Sequence, residues 1–412
     1  MDRAPRRGAD WHALTLVTLG LVAFGIVMVY SATSASAAVG GGDPVEYLTR
    51  QGTFAVIGLL AMLGITRVDY RRLRLVAPAL VVAALAFCAA VLVLGEPVNG
   101  ARRWLGFGPA SFQPSELAKL ALALWLAAHL AKREPPRNLS ELWRPIGLLV
   151  GVFAGLILLE PDLGTTIAIG VMVAAVLLIS GTPALTLVSA GAVAGAAAFV
   201  AVWIEPYRRA RVFSFLNPWS DAQGAGFQTI QAQIGLGSGG LFGEGLGQGV
   251  QKIHYLPEAH TDMILAVIGE ELGLLGTGAV ILAYAAFAWA GLTVALRCRD
   301  PFGKRLAAGL TALVCGQAAV NLAAVLGLAP LTGIPLPFVS YGGSSLVVQL
   351  VAVGVLLNIA ASGRRTAHLR DRGRRDGGTR PAGARRRGRV AEPRGAGDVR
   401  RVAGSHRSAA RP

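Results

Sequence analysis

At 412 residues the chain is 53% hydrophobic and only 15% charged. A soluble domain carries about 25% charged residues, so an ordinary soluble globular protein is excluded. The formal net charge of +16 is no argument for nucleic acid binding, because residues 364–412 hold sixteen arginines against four acids and the excess belongs mainly to that tail.

The expected fold class is an all-α polytopic membrane protein with about ten transmembrane helices, each needing about 20 apolar residues. The spans are predicted near 11–32, 51–66, 74–95, 115–131, 145–159, 163–181, 184–204, 262–296, 304–328 and 340–362. The first follows Arg3, Arg6 and Arg7, is too long for a signal-peptide core, and reads as an uncleaved helix. The fifth and sixth are short and meet at Leu159-Glu-Pro-Asp-Leu-Gly164. The eighth is long enough to begin above the hydrocarbon. Cys88, Cys298 and Cys315 lie in or beside apolar runs, without metal-ligand spacing or a disulfide framework.

Basic loops set the orientation. Arg67, Arg71, Arg72 and Arg74 follow the second span, Lys132, Arg133, Arg137 and Arg144 the fourth, and Arg297, Arg299, Lys304 and Arg305 the eighth. By the positive-inside rule these loops and both termini are expected to be cytoplasmic. The expected organisation is a cytoplasmic N-terminus at 1–10, a transmembrane domain at 11–362 with a large extracytoplasmic loop at 205–261, and an Arg-rich cytoplasmic tail at 363–412. That tail lacks apolar periodicity and is expected to be disordered. An anionic leaflet would attract its first arginines by about 1 kcal/mol each; a biased, tolerated extension is the plainer reading.

Nearly every polar motif falls on the outer side. Asn99-Gly-Ala-Arg-Arg-Trp-Leu105 precedes Phe112-Gln-Pro-Ser-Glu-Leu-Ala-Lys119. Glu116 and Lys119 stand at i and i+3, on one helical face, as an ion pair would. Lys119, Arg102 and Arg103 also make a cationic rim suited to phosphate. Glu160-Pro-Asp162 sets two carboxylates between short spans, costly unless they face water, a cation or a basic partner; Asp162 is equally placed to cap the next helix. The outer loop carries Tyr207-Arg-Arg-Ala-Arg-Val-Phe-Ser-Phe-Leu-Asn-Pro-Trp219 and the Gly-rich run 235–249, a phosphate cradle or a flexible connector. It ends at Lys252-Ile-His-Tyr-Leu-Pro-Glu-Ala-His-Thr-Asp-Met-Ile264, which puts Glu258, His260 and Asp262 where polar loop meets lipid. Ionisable groups there are read as functional, against the alternative that Thr261 or Asp262 caps the following helix. Gln317 and Asn321, at i and i+4, read as interhelical hydrogen-bonding glue. Gly333-Ile-Pro-Leu-Pro-Phe-Val-Ser-Tyr-Gly-Gly-Ser-Ser345 is irregular backbone, tolerated at membrane depth only inside protein or beside water.

Phe112-Gln-Pro-Ser-Glu-Leu-Ala-Lys119, Glu160-Pro-Asp-Leu-Gly-Thr165, Gly237-Ser-Gly-Gly240, Leu256-Pro-Glu-Ala-His-Thr-Asp262 and Pro337-Phe-Val-Ser-Tyr-Gly-Gly343 resemble, in order and at fitting spacing over residues 11–362, the SEDS glycosyltransferases of bacterial cell-wall synthesis. Asn217-Pro-Trp219 and Gln251–His260 are more similar to the division branch than to the elongation branch. The resemblance implies a peptidoglycan polymerase acting on lipid II at the outer face of the cytoplasmic (inner) membrane, at the division septum. The donor would be the glycan on undecaprenyl pyrophosphate, and the acceptor the 4-hydroxyl of another lipid II. It implies Asp262 as general base, with Arg103, Trp104, Gln113, Glu116, Lys119, Asp162, Glu258, His260 and Ser340 about the substrate. Met263 stands where the family commonly has phenylalanine. Asp162 and Glu116 suit Mg²⁺ or Mn²⁺ as oxygen-only ligands; no organic cofactor is expected. A class B penicillin-binding protein (FtsI-like), other divisome proteins and membrane lipids are the implied partners, with no nucleic acid. An elongation-type polymerase, a lipid II flippase and a divisome scaffold are the competing readings.

Overall fold

The computed structural model describes residues 8–40, 43–98, 101–107, 110–253 and 255–376. Asn99, Gly100, His254 and the tail from 377 lie outside them. The chain divides into two units, 1–367 and 368–412, and the architecture below belongs to the first. Among the described residues nine helices are long and apolar enough to cross a membrane. They are α1 (Ala9–Gly40), α2 (Pro44–Ile65), α3 (Tyr70–Leu94), the pair α5 (Leu139–Leu142) and α6 (Leu148–Leu159) joined by a π-turn, α7 (Leu163–Ser180), α8 (Ala184–Ile204), α11 (Ile264–Arg297), α12 (Pro301–Val325) and α13 (Gly343–Asp376). The helical backbone of α13 passes the boundary expected at 363.

The remaining expected span is α4 (Pro114–Ala131), less apolar because it carries Glu116 and Lys119. It packs against α3, α7 and α12, and most of its residues are buried. A helix walled in by other helices need not be apolar towards lipid. The opposite case is α8, whose apolar window has nothing buried; Leu185, Val188 and Phe199 face outward, as lipid-facing side chains do.

Several helices start earlier than the apolar runs do, and the reason is capping. Asp43 accepts from Val45 N at 2.8 Å, Asp69 from Arg71 N at 3.0 Å, and Asp300 from Gly303 N at 3.1 Å. Pro44 and Pro301 add a first-turn proline. A capping carboxylate satisfies donors the helix cannot. A small antiparallel sheet, β1 (Glu96–Val98), β2 (Ala101–Phe107) and β3 (Ala110–Phe112), occupies the loop before α4; the other regular elements among the described residues are helices.

Two irregular segments organise the end of the bundle at which α11 begins. The strap between α12 and α13 has its backbone satisfied by buried side chains. Asn321 donates to Ile334 O at 2.9 Å, Gln317 to Pro335 O at 2.9 Å and the Tyr284 hydroxyl to Pro337 O. Phe338 N donates to Gln349 at 3.2 Å and Leu336 N to Ser340 Oγ at 2.8 Å. The Gly-rich loop is neither a flexible connector nor an open phosphate cradle. Glu244 N and Gly245 N donate to the carbonyls of Glu270 and Glu271, both at 3.0 Å, and Val250 N donates to the Glu270 carboxylate at 2.7 Å. The loop docks where α11 breaks at Gly273, whose φ of 65° favours glycine; a side chain at Gly243 would meet Glu271 O at 2.1 Å.

Beneath the loop, Lys252 Nζ binds Glu271 at 2.5 Å, Ser31 Oγ at 3.1 Å and Gly247 O at 2.8 Å. The side chains of Lys252 and Glu271 are 1% and 0% exposed. Lys252→Met leaves Glu271 charged and unpaired, and is expected to cost about 3–5 kcal/mol. Thermal unfolding in detergent should show a large loss for Lys252→Met and substantial recovery for Lys252→Met/Glu271→Leu; a single variant melting with the wild type contradicts this.

Candidate active site

Asp262 follows the docked loop and precedes α11. It does not cap that helix. The cap position belongs to Met263, which makes no side-chain cap bond. The Asp262 backbone is fixed instead, because Asn321 Nδ2 donates to Asp262 O at 2.8 Å while holding Ile334 of the strap. Gln317 and Asn321 therefore do more than join helices; they tie the strap, Asp262 and Lys119 together. The Asp262 side chain lies at the site surface but is only 8% exposed. Burial pushes its carboxyl up to about 6, Arg211 opposing and Glu258 adding to the rise. That places a proton acceptor close to neutral pH.

Arg103, on β2, reaches the break between α6 and α7. Its Nε donates to Glu160 O at 2.9 Å and its Nη2 to Pro161 O at 2.5 Å. Asp162 behaves as a cap: Oδ1 accepts from Thr165 N at 2.9 Å and Oδ2 from Thr165 Oγ1 at 2.8 Å. Gln113 Nε2 approaches Asp162 Oδ2 at 3.4 Å, and Gln113 N donates to Ser344 Oγ at 3.2 Å. Trp104 is half-buried on β2, paired with Glu96 of β1.

Lys119 and Glu116 form the expected ion pair, at 2.8 Å, each side chain 2% exposed. Lys119 Nζ also donates to Gln317 Oε1 at 2.6 Å. This cation is therefore a buried strut and not part of a phosphate rim. Arg102 is exposed and turned to the carbonyls of Leu92 and Val93. Of the three expected rim cations, Arg103 stays at the site.

His260 meets Tyr47 and Tyr341 with ring centroids 5.0 and 5.5 Å apart, and its carbonyl accepts from Tyr341 N at 2.9 Å. Burial holds its imidazole below the usual range, Glu258 opposing. Glu258 sits at φ 56° in an exposed turn, its carboxylate accepting from Thr261 Oγ1 at 3.2 Å. Ser340 is buried and spends its hydroxyl on the strap.

The two carboxylates expected to hold an ion already have partners in the protein. Asp162 is committed to the α7 cap and Glu116 to Lys119. Among the described residues no group of three or more His, Cys, Asp or Glu stands ready to hold an ion.

Arg211, Asn321 and Glu160 complete the site beyond the expected residues. Arg211, on α9 (Pro206–Leu216), donates from Nη1 to Leu331 O at 3.1 Å. Its signal in the sequence was a cluster of arginines beside aromatics, without a mark of which one turns inward. Glu160 is fully buried and neither carboxyl oxygen has a hydrogen-bond partner. Burial, reinforced by Asp162 and opposed by Arg103, pushes it up to about 8.

The matches to known proteins cover most of the chain. Residues 12–365 match the family model for the cell cycle proteins FtsW, RodA and SpoVE. A protein of Geobacter metallireducens named "Probable peptidoglycan glycosyltransferase FtsW" is 40% identical over 350 residues, 84% of this chain and 93% of that one. The stage V sporulation protein E of Bacillus subtilis is 40% identical over 359 residues, 85% of this chain and 97% of that one. Among solved structures, one described as "Structural coordination of polymerization and crosslinking by a peptidoglycan synthase complex" aligns with TM-score 0.71 and 32% identity over 85% of this chain and 97% of that one. The rod shape determining protein RodA of Thermus thermophilus aligns with TM-score 0.61 and 31% identity over 84% and 95%.

The buried Glu160 makes stability depend on pH. The unfolded side chain gives up its proton near 4.5, whereas the folded one keeps it to about 8. Between these values the folded state binds the extra proton, so stability falls as pH rises. Melting curves of wild type and Glu160→Gln are expected to diverge in favour of the variant from about pH 5 to about pH 8; a constant gap contradicts this.

Proposed function

The chain belongs to the FtsW, RodA and SpoVE family and is a peptidoglycan glycosyltransferase, and we propose that it polymerises lipid II with Asp262 as general base. The observation that carries the role of Asp262 is its setting: an almost fully buried carboxylate, not consumed as a helix cap, backed by Asn321 and acted on by Arg211. The 4-hydroxyl of the acceptor sugar attacks the anomeric carbon of the donor glycan. A new glycosidic C–O bond forms, the bond from that carbon to the diphosphate oxygen breaks with its electron pair, and the hydroxyl proton passes to Asp262. Hydrogen-bond reach between hydroxyl and carboxylate is the geometric condition. Arg103 supplies positive charge where the diphosphate leaves. No step is routed through a divalent ion, since Asp162 and Glu116 are committed elsewhere.

The names and 40% identity of the FtsW relatives favour a division role over a RodA-type elongation role. We place the enzyme in the cytoplasmic membrane at the septum, both termini cytoplasmic, with Trp104, Gln113, Glu258, His260 and Ser340 lining or supporting the substrate channel. A class B penicillin-binding protein would supply crosslinking; the likeness to a synthase complex that coordinates polymerisation and crosslinking supports such a partner. Flippase and scaffold readings explain the many spans but give a buried base at the outer face no task.

Polymerisation of fluorescent lipid II by purified protein, with and without the class B partner and Mn²⁺, and with moenomycin to silence contaminating enzymes, tests this reading. Asp262→Asn is expected to lower the rate at least about 10²-fold, the usual range for losing a general base being about 10²–10⁴. Wild-type kcat/KM should fall as pH drops below about 6, where Asp262 takes up its proton. Strands made at the wild-type rate by Asp262→Asn contradict the assignment.

A further inference from the structure

We infer that Arg211 is a second guanidinium of the active site, placed near Arg103 to grip the diphosphate of the lipid-linked donor, and that it trades Asp262 for the diphosphate when substrate arrives. The inference rests on the glycosyltransferase reading above and adds a residue to it.

The geometry converges on Gly333. A side-chain carbon built there would lie 3.6 Å from Arg211 Nη1, 3.8 Å from Arg103 Nη1 and 3.8 Å from Asp262 Oδ2. Two guanidinium nitrogens and a carboxylate oxygen from three distant parts of the chain therefore lie within 3.8 Å of one point, and no two of them are further apart than twice that radius. Gly333 has φ 73°, which disfavours any L side chain, and its missing Cβ keeps that point clear of a side chain. Both arginines are half-buried, accessible to a ligand yet short of bulk water.

Each arginine is braced by backbone carbonyls. Arg103 spends Nε and Nη2 on the carbonyls of the α6–α7 break. Arg211 is braced by Leu331 O of the strap. Its helix is pinned by Arg208, which donates to Ala201 O at 3.0 Å and to Leu158 O. Two braced guanidinium groups close to one point suit an anion with several oxygens, because arginine binds phosphate oxygens in bidentate fashion. Lys119, the other expected phosphate cation, is sealed between Glu116 and Gln317, so the second charge has to come from elsewhere. Arg211 is also the cation that most favours the ionised form of Asp262. A diphosphate carries more charge and more acceptors than a single carboxylate and competes for the same guanidinium. When Arg211 turns to it, Asp262 loses its counter-charge and becomes a stronger base. Substrate arrival would thus sharpen the base only when the leaving group is in place.

The test uses the full chain in detergent with farnesyl diphosphate as the binding probe, inorganic pyrophosphate as competitor, and lipid II polymerisation as a separate readout. Arg211→Gln is expected to weaken farnesyl diphosphate binding on the order of 10- to 100-fold, the loss of a charge-assisted bidentate contact. Arg211→Lys should recover part of that loss. The acid limb of kcat/KM should move to higher pH in Arg211→Gln, a change that a merely structural arginine would not produce; Arg209→Gln, on the same helix, should leave the limb where it is. Unchanged diphosphate affinity together with an unmoved acid limb in Arg211→Gln overturns the inference. The glycosyltransferase reading fails on a different result, polymerisation by Asp262→Asn, so the two are separable.

Discussion

Irregular backbone at the outer end of a membrane protein must find its hydrogen bonds inside the protein, and the strap between α12 and α13 obeys that constraint through a few buried amides and hydroxyls. Each unsatisfied peptide group in such a place costs several kcal/mol. Asn321, Gln317, Tyr284, Gln349 and Ser340 remove that cost. The same bonds fix the site. Asn321 binds the strap and the Asp262 carbonyl with one amide group, and Gln317 links the strap to the Lys119–Glu116 pair. What keeps the strap folded is what holds the base still.

The second organising element is the broken helix α11. Its first turns carry Glu270 and Glu271, whose carboxylates and carbonyls hold down the Gly-rich loop that leads into Asp262. Ser31 of α1 joins this cluster from 240 residues away, so loop, helix and first span form one block. The carboxylates then divide by environment. Asp162 is spent as a helix cap, Glu116 as an ion-pair partner, Glu160 holds a proton in a dry setting, and Asp262 stays nearly buried with the Arg211 charge acting on it.

The spans were legible because apolar runs of this length have few other uses. The Glu116–Lys119 pair was legible because i and i+3 share a helix face. Helix starts were less so: Asp43, Asp69 and Asp300 lie outside the apolar runs, and their capping bonds extend the helices past them. Glu270 and Glu271 sat inside a run that reads as a membrane helix, and only tertiary packing shows that they receive a loop. Arg211 was one arginine among several in a surface helix. Sequence spacing cannot tell that Arg208 turns to α6 and α8 while Arg211 turns to the strap. For Asp262 against Asp162 the sequence left both as cap or functional group, and local backbone geometry decided each differently.

Asn321 joins the strap and Asp262 into one mechanical unit. The direct measurement is kcat for lipid II polymerisation by Asn321→Leu, alongside its thermal unfolding. The variant keeps Asp262, Arg103 and Arg211 but loses both carbonyl bonds. A misplacement of about 1 Å costs on the order of 10²-fold in rate, so a loss of tenfold or more in protein that still folds is the result this account predicts. A folded variant polymerising within about twofold of wild type would contradict it.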